Sequence, residues 1–166
     1  LSYVLARQQA SGNFEVISLG SAAQGADPLE AFASSMQGHG LKGLHASFML
    51  RIDQYQLLQI DTPAVPPEEL RSAARYQIRD MLLTHVDGVT LDVVRVGDGK
   101  HQTNPHSFVV AATNAVVRAN MALADAMDWQ VAVIDIEEMA QRNLQSALAR
   151  AQEQHERANA ALVLLP

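Results

Sequence analysis

The stretch from Asp53 to Leu82 restricts the fold more than any other part of this chain. Tyr55 to Ile60 is an extended, apolar-rich run. Pro63, Pro66 and Pro67 then forbid continued ladder pairing, because proline has no N–H to give and fixes its own φ. A helix must begin close to Pro67, with Glu68 and Glu69 favoured at its positive end. Leu70, Ala74, Ile78, Met81 and Leu82 recur along one face of that helix. The segment therefore reads as a strand, a proline-stiffened turn and an amphipathic helix.

The flanking sequence alternates the same two kinds of element. Ser2 to Arg7 and Phe14 to Leu19 are β-like runs, joined through Ala10 to Asn13, where Gly and Asn tolerate positive φ and a hairpin is expected. After a small, polar loop, Asp27, Pro28 and Glu30 form a helix start with capping-box spacing, and Leu29, Phe32, Ala33 and Met36 give that helix an apolar face. Leu44 to Leu50, Val89 to Val96 and Ser107 to Thr113 read as strands, with a polar loop from Gly97 to Pro105. Asn114 can cap a helix running through Met127 with Val117, Met121 and Ala124 inward. Gln130 to Ile134 is a short β run. Asp135 and Glu138 have capping-box spacing for a last helix carrying Met139, Asn143, Leu144, Ala147 and Ala151 on one side, and a final strand begins near Ala160. The class is α/β or α+β. A plain parallel βαβαβ unit built on strands 107–113, 130–134 and 160–165 stays open at this point.

Charge and composition exclude several functions. Twelve basic against 18 acidic residues leave a net charge of −6, so there is no general electrostatic footprint for nucleic acid or anionic lipid. With no cysteine, disulfides and thiolate metal sites are excluded. No apolar run approaches the ~18 residues that span a bilayer, and no signal peptide is visible. The chain opens on Leu1 inside one strand pattern and closes at Pro166 inside another, as a piece of a longer protein would.

Gly38-His-Gly-Leu-Lys-Gly43 spells G-x-G-x-x-G, but a dinucleotide loop needs a strand before it and a helix after it. Here the order is inverted, which indicates a helix-ending turn. There is no P-loop and no G-x-S-x-G. His39, His45, His85, His101, His106 and His155 lack metal-ligand spacing, and Asp80, Asp87 and Asp92 are not brought together in sequence. Neither a catalytic residue nor a metal or cofactor ligand is expected. Arg71, Arg75 and Arg79 are spaced to align on one helix face, as a solvated stripe or as a dock for an acidic partner segment. Tyr55, Leu57, Leu58 and Ile60 place apolar groups on both faces of their strand, consistent with a core strand or with an edge open to β-addition.

Two stretches together resemble a known family. Tyr55-Gln-Leu-Leu58, Pro63-Ala-Val-Pro66, Glu69-Leu70 and the helix from Arg71 to Leu82 form the first, and Val133 to Ala140 with Arg142-Asn143-Leu144 the second. Their wording is similar to the MshI family of mannose-sensitive-haemagglutinin (type IV) pilus biogenesis proteins, relatives of PilM and of the type II secretion protein GspL. The resemblance implies the first lobe of an actin-like fold, as in FtsA and PilM, with residues 1–52 and 114–166 as the lobe and 53–113 as an inserted small subdomain. It also implies a cytoplasmic, non-catalytic scaffold that binds an inner-membrane partner of the PilN or MshJ kind, and possible contact with the assembly ATPase. Tyr55, Arg71, Arg75 and Arg79 are the candidate partner-binding residues, at the seam of the inserted subdomain. The Asp-x-Gly turn of actin-like nucleotide sites would precede Leu1, and the second phosphate loop would follow Pro166. The alternative, an actin-like nucleotide-binding ATPase, would need both.

Overall fold

In the computed structural model the described residues are 2–21, 32, 41–96 and 105–151. The helix expected over 27–40, most of the loop expected after Gly97 and the strand expected near Ala160 lie outside them, Phe32 apart. The chain divides into two compact units, residues 1–44 with 123–130 and residues 45–122 with 131–166.

In the first unit, strands β1 (Ser2–Gln8) and β2 (Phe14–Ser21) pair antiparallel around a turn in which Gly12 takes φ +85°. A left-handed residue at that point lets the chain reverse without the penalty a Cβ would bring. The register shifts between Leu5 and Ala6. Tyr3 lies opposite Gly20, and its ring sits where a Cβ on Gly20 would approach to 3.1 Å. Tyr3 also meets the ring of Phe32 edge-on at 5.8 Å, and Phe32 meets Trp129 at 6.0 Å. The indole N–H of Trp129 donates to the carbonyl of Leu41 at 2.7 Å. The opposite hairpin face leaves Val4, Phe14, Val16 and Leu19 exposed, Leu19 by 72%. Gly43, the last glycine of the G-x-G-x-x-G string, has φ +70° and donates its N–H to the carbonyl of Asp128. It stands in a turn that leads into a strand.

The second unit is built around a three-stranded antiparallel sheet. Its order is β4 (Tyr55–Asp61), β6 (His106–Thr113), β5 (Val89–Arg95). Helix α1 (Leu70–Ile78) covers one face. Ala74 and Ile78 are wholly buried against Ile60, Leu91, Val109 and Ala111. The proline turn does the work expected of it, with the Pro66 and Pro67 carbonyls accepting from the N–H groups of Glu69 and Leu70. Ser107, fully buried, shares a 2.8 Å hydrogen bond with the hydroxyl of Thr62. Strand β6 is central, and both its neighbours run antiparallel to it. It does not stand beside 130–134, as the βαβαβ alternative requires; β7 (Gln130–Ile136) pairs instead with β3 (His45–Leu50).

Helix α2 (Asn114–Ala126) follows β6 directly, and α3 (Glu137–Ala151) follows β7 directly. Three local expectations are corrected here. The hydroxyl of Thr113, rather than the Asn114 side chain, receives the helical N–H of Val116, because β6 runs straight into the helix. Asn114 is used elsewhere, accepting from the Thr90 hydroxyl and donating to the carbonyl of Asp87. On α2, Val117 packs toward Leu50, Ala112 and Ile136 and Ala124 is buried, as expected, but Met121 is exposed and Leu123 is buried instead. On α3, Leu144 is likewise exposed rather than inward.

Candidate functional site

The second face of the three-stranded sheet is not covered by α1. Side chains on this face alternate with those of the α1 core, so Tyr55, Leu57, Val110 and Ala112 point away from Ala74 and Ile78. The part nearest β4 packs on Leu50, Ile136 and Met139 in a second core. Toward the edge strand β5 that packing opens into a groove of about 480 Å³. One wall is the sheet, through Thr90, Asp92, Val94 and Val110. The other is β7 and α3, through Ile134, Met139 and Arg142.

The groove is apolar at its base and charged at its rim. Arg71 reaches from α1 to Asp92 at 2.9 Å, and both side chains are about two-thirds exposed. Asp135 and Arg142 stand on the opposite wall. Strand β5 pairs with β6 alone among the described strands, so its outer edge carries backbone groups available for another strand.

The residues singled out from the sequence take separate places. Of the three arginines, Arg71 alone lines the groove. Arg75 turns under the sheet margin and donates to the carbonyls of Val86 at 2.7 Å and Val89 at 3.3 Å. Arg79 lies over the ring of Tyr76 at 4.8 Å and donates to Asp80. The aligned stripe exists on the helix, but its members serve different neighbours.

Tyr55 is half-buried, and its ring packs beside Leu50, Ala112 and Ile136. Its hydroxyl donates to the Glu138 carboxylate at 2.7 Å. Burial, then the hydrogen bond and charge of Glu138, push the phenol well above its ordinary range. Glu138 is therefore engaged with another strand rather than closing a capping box, although Asp135 does accept a local bond from the N–H of Ile136. The Glu138 role has no signature in the sequence, because its spacing from Asp135 offers a local use first. Among the described residues, no group of three or more His, Asp and Glu is placed to hold a metal ion. No helix of the described residues is long and apolar enough to cross a membrane.

No protein-family profile matches the chain, and no curated protein sequence matches it. Solved structures do. A chain of the PilM–PilN type IV pilus biogenesis complex is similar with a TM-score of 0.70 at 19% identity, over 89% of this chain and 47% of that one. The cytoplasmic domain of EpsL, an inner-membrane component of the type II secretion system of Vibrio cholerae, is similar with a TM-score of 0.59 at 18% identity. That likeness covers 81% of this chain and 51% of EpsL's. The chain thus spans about half the length of the structures it matches. Its fold is the mixed α/β, actin-like fold of these domains.

Proposed function

We propose that this chain is a binding module of type IV pilus or type II secretion assembly, acting at the cytoplasmic side of the inner membrane. We take its partner to be an inner-membrane protein of the PilN kind. The observation that carries this reading is the fold likeness, over 89% of the chain, to a chain of a complex that itself contains PilN. The wording around Tyr55 to Leu82 and Val133 to Leu144 narrows the proposal to an MshI-like protein, for which an MshJ-like protein and the assembly ATPase are further partners. Residues 53–113 would be the inserted subdomain of the actin-like lobe; in support, β4, β5 and β6 all come from this stretch and pair with one another.

The mechanism follows from the groove. A short extended segment can pair along the free edge of β5, through main-chain hydrogen bonds, and set apolar side chains against Val110, Ile134 and Met139. Arg71 and Arg142 at the rim can each hold a carboxylate through two parallel hydrogen bonds. We take this work to be binding without catalysis, so a titration with Mg-ATP should be flat. Saturable micromolar binding would favour an actin-like ATPase instead.

The direct test is calorimetry with a peptide from the cytoplasmic N-terminal segment of the PilN-type protein of the same genome. Saturable binding is expected, weakened in Val94→Lys and Arg71→Glu variants whose circular dichroism is unchanged. A flat titration with the folded wild-type chain, or full retention by both variants, would remove the docking reading.

A further inference from the structure

We infer that the Tyr55–Glu138 hydrogen bond is a strut that fixes the separation of the groove's two walls, positioning the docking surface without touching what docks. Its consequence for affinity rests on the docking reading above; the strut itself rests on geometry alone. Tyr55 opens β4 and lies opposite Ala112, on the sheet wall. Glu138 lies in the first turn of α3, beside Met139 on the other wall. The bond spans 83 positions of sequence at 2.7 Å.

Glu138 is the one charged side chain among the buried described residues, 5% exposed, and it has no cationic partner among them. A carboxylate in such a place is a poor source of stability, since its desolvation offsets much of what a single donor returns. What it contributes is direction. The apolar contacts of Leu50, Ala112 and Ile136 hold the walls together but are non-directional, and can slide at little cost. A short hydrogen bond to a charged acceptor tolerates little change of distance or angle. Removing it should let the walls shift while the core between them persists.

The absence of cysteine allows a clean test. Spin labels at Gln77→Cys on α1 and Gln145→Cys on α3, both exposed positions, report the separation across the unit by electron paramagnetic resonance. In the full chain a single narrow distance distribution is expected. Tyr55→Phe should broaden it or add a longer component. Glu138→Gln alone, which keeps an acceptor for the Tyr55 hydroxyl, should retain the wild-type width. If Tyr55→Phe does not fold, Tyr55→Phe with Glu138→Met removes both polar partners at nearly conserved volume and must show the same broadening. An unchanged width in folded Tyr55→Phe, or in the folded double variant, overturns the strut, whatever affinity does. Peptide affinity should fall by about two- to tenfold with the broadening. A wild-type chain that ignores the peptide would refute the docking reading, and the measured distances would still support or overturn the strut.

Discussion

Identical side chains one helical turn apart contribute differently because of what they reach. Arg71 and Asp92 are mostly in water, where an ion pair contributes little, so Arg71→Ala should shift unfolding free energy by no more than about 0.5 kcal/mol. Arg75 satisfies two backbone carbonyls, and Arg75→Ala should cost about 1–2 kcal/mol in urea denaturation. Equal costs for the two would contradict the assignment. Tyr55→Phe should cost about 1–3 kcal/mol near neutral pH, because it strands a buried carboxylate. The phenol's folded pKa is raised, so its contribution is complete below the ordinary tyrosine value of about 10 and is lost as pH rises beyond it. The gap between wild type and Tyr55→Phe should therefore close in alkaline melts. The sequence showed the arginine spacing, which is local, but not the division of labour among Arg71, Arg75 and Arg79. That depends on what each one reaches: Asp92 for Arg71, the Val86 and Val89 carbonyls for Arg75, and Tyr76 and Asp80, close by in sequence, for Arg79.

Elements were most legible where proline or strict periodicity left one solution. The Pro63–Pro67 turn and the Leu70, Ala74, Ile78 face of α1 follow from backbone chemistry and a narrow apolar stripe. Ile78→Ala should accordingly cost about 2–5 kcal/mol, with loss of the sheet-facing core as the cause. The phase of α2 was harder to read. Its alanines and valines leave the apolar face broad, and only packing turns Leu123 inward and leaves Met121, which lies beside Arg118 and Asp125 on the helix, exposed. The turn after α2 supplies a gain-of-stability test. Asp128 takes φ +56°, where a Cβ is disfavoured, so Asp128→Gly should add about 0.5–1 kcal/mol. A thermal melt shifted downward would show that the Asp128 side chain stabilises the turn by more than its backbone strain costs.

At the scale of the molecule, the sheet order could not be read from pattern. Strand β6 carries apolar side chains on both faces, and such a run suits the centre of a parallel or an antiparallel sheet equally. Its real neighbours, β4 and β5, were selected by pairing across long separations that single-sequence periodicity does not encode. The groove was invisible for the same reason, since its walls come from β5, β6, β7 and α3.

The bare face of the β1–β2 hairpin has a colloidal consequence. Val4, Phe14, Val16 and Leu19 present an oily surface with no charge among them, while the net charge of −6 keeps molecules apart in dilute buffer. Raising salt to about 1 M shrinks the reach of that repulsion to roughly 3 Å. A strongly hydrated anion such as sulfate also strengthens apolar association. Sedimentation velocity in ammonium sulfate should then show concentration-dependent self-association that sodium chloride at low strength does not. Val16→Lys with Leu19→Lys should return the boundary to a single slow species. A purification that begins with salting-out would concentrate the protein through this face, and the two lysines would make the same step fail.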